Sequence, residues 1–198
     1  ITSNFALQKI KRIFNNSKAG FVGTLDPLAS GFLPVALGKA TKIIPFIEKC
    51  DKNYLFTIRW GIKTETGDSE GKVIKESKIY PNKTDILKAL KKFSGDIEQI
   101  PHKYSSIKID GQRAHKLARK NVKFQLKKRQ IKINNFKLTN NISEKLASFS
   151  VDCSAGTYVR SLAESLAESL GTIGTVVELR RIGFNNFNKK LISLDYLL

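Results

Sequence analysis

Methionine is absent from this 198-residue chain, tryptophan occurs once, and cysteine and histidine occur twice each. His102 and His115, with two distant cysteines, form no zinc-binding pattern, so no metal is expected. Cys50 and Cys153 stand alone and make no disulfide framework, which points to a reducing, cytoplasmic setting. No window approaches the apolar length of a membrane-spanning helix, so no membrane association is expected. The first residues lack a basic segment followed by an apolar one, so no secretory signal is expected. Because the chain opens at Ile1 and carries no methionine, it is expected to be a piece of a longer protein. Acidic residues are also scarce. Asp and Glu total 17 against 35 Lys and Arg, a formal net charge of +18, and this balance favours a polyanionic partner.

The excess charge is concentrated. Between Lys103 and Lys137 stand twelve basic residues and one acid, Asp110, a density that favours phosphate contacts over a diffuse lysine bias. Acid scarcity also isolates one carboxylate: Asp26 is the only acidic residue before Glu48. It lies in the stretch from Lys18 to Pro34, with Gly20 and Gly23 before it and Gly31 after it. Pro27 biases Asp26 toward an extended conformation, and the glycines permit close backbone approach. Residue types alone favour an ordinary Asp-Pro turn.

Alternation of Tyr54, Phe56, Ile58 and Trp60 predicts a strand over 53–60. Further strands are predicted over 124–126, 130–138, 147–153 and 175–181, followed by a loop with a short ending element over 184–198. Helices are predicted over 4–14 (capped by Ser3 or Asn4), over 39–50 (kinked at Pro45), from Thr84 to about Gly95 with Ile86, Leu87, Leu90 and Phe93 inward, and over 114–119. Another runs from Ser161, where Leu162, Leu166 and Leu170 share one face, to Gly171. Strands and helices mix without regular βαβ alternation, so an α+β fold with a largely antiparallel sheet is expected. No linker-like break divides residues 1–198, which predicts one domain.

Gly23-Thr-Leu-Asp-Pro-Leu-Ala-Ser-Gly-Phe-Leu-Pro34 resembles the signature loop of the TruB-type tRNA pseudouridine synthases, and other segments match in order. Tyr54 in Asp51-Lys-Asn-Tyr is similar to the family's stacking tyrosine. Pro101-His-Lys-Tyr-Ser-Ser-Ile-Lys108 is similar to its Pro-x-x-Tyr-Ser-Ala-x-Lys motif. Cys153-Ser-Ala-Gly-Thr-Tyr-Val-Arg160 and Leu179-Arg-Arg181 resemble site-lining segments. The resemblance implies a pseudouridine synthase fold and isomerisation of uridine in the tRNA T loop, with no cofactor. It implies Asp26 as nucleophile, Tyr54 stacking on a flipped base, and Arg160 pairing with Asp26, which would keep that carboxylate ionised. Phe21, Tyr158, Leu179, Tyr104 and Lys18 are expected at the substrate, and Arg180 and Arg181 at phosphates. The partner implied is tRNA, bound by a monomer with no obligate protein partner.

The chain departs from the family pattern at Phe21, where histidine is common, and at His115, where tyrosine is usual. The family's N-terminal Lys-Pro-x-Gly segment and C-terminal PUA-type domain are not found. A tRNA-binding module without catalysis and a guide-RNA-dependent synthase are the rival readings. A hydrolytic glycosidase fits least, since no second carboxylate is placed beside Asp26.

Overall fold

The computed structural model describes residues 1–184 and 192–197. Helix α1 (Ser3–Ile13) is capped by Thr2, whose side chain accepts from the Phe5 amide, so the cap lies one residue before Ser3. Short strands β1 (Ala19–Phe21), β2 (Ser30–Gly31) and β3 (Val35–Leu37) bracket the Asp26 loop, with β1 and β3 paired antiparallel. A 3-10 turn over Gly38–Ile43 leads into α2 (Ile44–Glu48). Pro45 stands in the first turn of that helix rather than kinking a longer one, because a missing N–H is harmless there.

The remaining elements build the frame. They are β4 (Lys52–Trp60), the hairpin β5 (Ile62–Thr64) and β6 (Val73–Glu76), α3 (Lys83–Leu90), and β7 (Gly95–Gln99). After them come the small hairpin β8 (Lys108–Ile109) and β9 (Gln112–Arg113), and α4 (Ala114–Arg119). The long strands β10 (Arg129–Ser143) and β11 (Leu146–Cys153) precede α5 (Val159–Ser169), β12 (Gly174–Phe184) and α6 (Leu194–Leu197). The ending element expected over 184–198 falls partly outside the described residues.

The main sheet has the order β2-β12-β4-β11-β10-β7; β2 runs parallel to β12, and every other pair is antiparallel. This is the mixed, largely antiparallel sheet expected from the sequence. One face carries Phe56, Ile58, Trp60, Phe149, Val151 and Val176 against Leu162 and Leu166 of α5 and Ile86 and Leu90 of α3. Phe149 stacks on Phe56 at 5.5 Å and meets the edge of Trp60 at 6.1 Å, fixing the register of the central strands.

Two further local expectations fail, and one strand is added. Residues 124–126 form no strand: Phe124 and Leu126 are half-buried and their neighbours exposed, which mimics period two without a pairing strand. On α3, Ala89 is buried and Leu87 is exposed, because the helix rolls toward Ile86 and Leu90. Strand β7, given no place in the sequence reading, pairs with the start of β10 over Gly95–Gln99.

Candidate active site

Asp26 sits at the tip of a loop fixed at several points. Its carbonyl accepts from the Ala29 amide at 2.8 Å, closing a turn through Pro27. The neighbouring Leu25 amide donates to Ser3 Oγ at 2.9 Å, which ties the tip to α1. At the loop's exit, Gly31 has φ +97° and pairs beside Arg181; a Cβ there would stand 2.2 Å from the Arg181 carbonyl oxygen. Only glycine fits that approach.

Arg160 enters from the first turn of α5 with its side chain 5% exposed. It donates through one terminal nitrogen to Asp26 Oδ1 at 2.9 Å and to the Tyr104 carbonyl at 3.2 Å. The other donates to the Thr66 carbonyl at 2.9 Å and lies 3.3 Å from Asp68 Oδ2. Asp26 Oδ2 has no hydrogen bond among the described residues. Asp68, on the turn between β5 and β6, was not singled out in the sequence: it is buried, and it accepts from the Thr66 hydroxyl and the Glu70 amide. A polar, turn-rich stretch gives no signal that one of its acids faces inward.

Burial raises the Asp26 pKa above the ordinary carboxylate value, and the Arg160 ion pair offsets this only in part. Arg160 does pull the Asp26 pKa down, as expected, but burial outweighs it and the net direction is upward. Burial also pushes the Tyr54 hydroxyl up to about 12, against an opposing contribution from Arg181, so Tyr54 is a neutral phenol at physiological pH. Asp26 is close enough to add to that shift.

Tyr104 contributes its carbonyl to Arg160, while its hydroxyl bonds Glu65 and its ring stacks on His102. His102 is buried and accepts the Tyr104 amide at Nδ1 (3.2 Å), leaving its other nitrogen toward Glu164 at 3.8 Å. Desolvation and nearby Arg160 depress its pKa to about 3.

The other expected residues divide. Leu179 is buried in the core, paired with Phe56 across the sheet. Arg180 is exposed, but Arg181 is 1% exposed and donates to loop carbonyls, which corrects its expected place at a phosphate. Strand alternation sends adjacent arginines to opposite faces. Phe21 is half-buried on β1, and Lys18 is exposed just before it. Tyr158 stands before α5, where its backbone makes two hydrogen bonds to the Gln99 side chain and its ring faces Arg129 at 5.6 Å.

The family model described as TruB family pseudouridylate synthase (N terminal domain) matches residues 11–159. The chain belongs to this TruB family. The tRNA pseudouridine synthase B of Caulobacter sp. (strain K31) is 44% identical over 198 residues, covering 100% of this chain and 64% of that protein. The protein of the same name from Clostridium kluyveri is 41% identical, covering 100% of this chain and 68% of its own length. The chain thus spans about two thirds of the length of its TruB-family relatives. Among solved structures, a chain of a Cbf5-Nop10-Gar1 complex superposes with a TM-score of 0.73 at 28% identity, covering 96% of this chain and 47% of that one. A chain of an H/ACA RNP bound to a substrate RNA containing 2′-deoxyuridine gives 0.71 at 27% identity, covering 98% and 48%.

Proposed function

We propose that residues 1–198 form one catalytic domain that isomerises uridine to pseudouridine in the T loop of tRNA, at position 55. The observation that carries this reading is the buried Arg160 guanidinium, which holds one oxygen of Asp26 and leaves the other without a hydrogen bond among the described residues. A carboxylate fixed in this way presents a single oriented nucleophilic oxygen. Attack of Oδ2 on C1′ breaks the N1–C1′ bond and expels the uracil as its N1 anion. The uracil turns and its C5 bonds to C1′ as the Asp26 ester breaks. Loss of the C5 proton and gain of one at N1 complete a net isomerisation, with no redox change.

Tyr54 gives a ring for the flipped base and a neutral hydroxyl that donates. Leu179, Phe21, Tyr158 and Tyr104 line the approach, while Lys18, Arg180 and the exposed cations between Lys103 and Lys137 meet phosphates. The enzyme works on tRNA as a cytoplasmic monomer without an obligate protein partner. No helix among the described residues is long and apolar enough to cross a membrane.

Tritium release from tRNA carrying 5-³H-uridine tests the reading. Release by the native chain and none by Asp26→Ala is expected. Equal release by both overturns the nucleophile. Binding without release by either favours a tRNA-binding module, and release only with a guide RNA and partner proteins favours the guide-dependent reading.

A further inference from the structure

The pair Arg180-Arg181 invites one reading, two cations for a polyanion, yet only Arg180 reaches solvent. Arg181 turns inward beside the Asp26 loop. Its Nε donates to the Phe32 carbonyl at 2.8 Å, and a terminal nitrogen donates to the carbonyls of Gly23 at 2.9 Å and Val22 at 3.3 Å. Val22 and Gly23 enter the loop and Phe32 leaves it, so one side chain bridges the two arms on either side of Asp26. The Phe32 amide donates back to the Arg181 carbonyl at 2.7 Å.

Three features indicate a built contact. Among the described residues Arg181 has no carboxylate in ion-pair contact; the loop carbonyls, the Tyr54 side chain and the Phe184 ring, 4.9 Å from its guanidinium carbon, compensate its burial, with the Asp26 charge nearby. A Cβ at Gly23 would lie 3.1 Å from the guanidinium, tighter than side chains ordinarily pack, and the φ of +63° there favours glycine on its own account. The planar fork reaches separated acceptors that a lysine ammonium, a single point, cannot satisfy together.

We infer that Arg181 is a positioning residue: its guanidinium clamps the two arms of the Asp26 loop through their backbone carbonyls and so sets where the carboxylate stands. The inference rests on the proposed role of Asp26.

Arg181→Met and Arg181→Lys, in the full chain, test it by three measurements. In tritium-release kinetics, Arg181→Met is expected to lose about 100-fold in kcat, the scale of a 1 Å misplacement. Its tRNA Kd should stay within about threefold, with an unchanged slope of log Kd against log salt. Amide exchange at Val22, Leu25 and Phe32 should quicken at least tenfold, while Phe149 and Val151 in the sheet stay protected. Arg181→Lys should recover part of both kcat and protection. Weaker tRNA binding with the salt slope reduced by about one would assign Arg181 to a phosphate and overturn the clamp. Unchanged loop exchange would overturn it as well. If Arg181→Met also loses sheet protection, Arg181→Lys alone decides by the same loop amides. If the native chain releases no tritium, the proposed function fails, and loop exchange still decides the clamp.

Discussion

Arg160 and Arg181 stand at the same loop, both almost fully buried, and are compensated in opposite ways. Arg160 meets two carboxylates, Asp26 and Asp68, and two backbone carbonyls. Arg181 meets three carbonyls, an aromatic ring and the Tyr54 side chain. Taken alone, the Arg160 group carries an excess negative charge; with Arg181 the four side chains balance. An ion pair orients a reacting atom directly, while a carbonyl clamp orients the chain that carries it. The difference teaches that a buried cation can organise this site at two levels, at the carboxylate and at its backbone.

The largest break in that comparison should come from Arg160→Met. It removes the one cation in ion-pair contact with both Asp26 and Asp68 among the described residues, and losing one partner of a buried pair typically costs about 3–5 kcal/mol. Urea denaturation should show a loss on that scale, and single-turnover tritium release should fall by about 1,000-fold. Normal stability and turnover would mean that Arg160 contributes no more than packing.

Asp68→Asn should act less strongly, since Arg160 keeps Asp26. We expect a 10- to 100-fold drop in turnover, as the guanidinium loses one of its two carboxylate partners. Asp68 helps to raise the Asp26 pKa, so its removal should let Asp26 ionise at lower pH. The acid limb of the pH–rate profile should accordingly move to lower pH; movement to higher pH would reverse the assigned sign.

The smallest effect concerns the cation the site refuses. His102 lies close enough to Arg160 to feel its charge and is held neutral, with a pKa near 3 against an ordinary 6.5. The unfolded chain therefore binds this proton at higher pH than the folded chain. The associated stability is complete above about 6.5 and is lost as pH falls toward 3. Between pH 7 and pH 4.5, His102→Gln should lose less urea-midpoint stability than the native chain. Equal losses would place the acid sensitivity elsewhere.

Much of the frame is legible because local signals agree with the global packing. Strand β4 alternates cleanly, α5 places Leu162 and Leu166 one turn apart, and Gly171 stops that helix at φ +71°. Local signals mislead where packing chooses among equals. Phe124 and Leu126 carry a strand pattern with no strand to pair, and a small shift in rotation puts Ala89 inside in place of Leu87. The juxtaposition of Asp26 and Arg160, 134 residues apart, was implied by resemblance alone, since residue spacing contains no such distance. Asp68 escaped notice because an acid in a polar turn looks solvated until a buried guanidinium is placed beside it.

By itself, the sequence determined the α+β class, the main strands and helices, the isolated carboxylate in a glycine-flanked loop, and the basic surface. Those follow from periodicity, backbone restriction and charge, which act over a few residues or over the whole composition. Only the tertiary structure decided that Arg180 faces water while Arg181 grips the Asp26 loop, that Asp68 completes the Arg160 site, and that burial outweighs the ion pair in raising the Asp26 pKa. Each is a matter of which groups share a desolvated space, and that is settled when distant segments pack together.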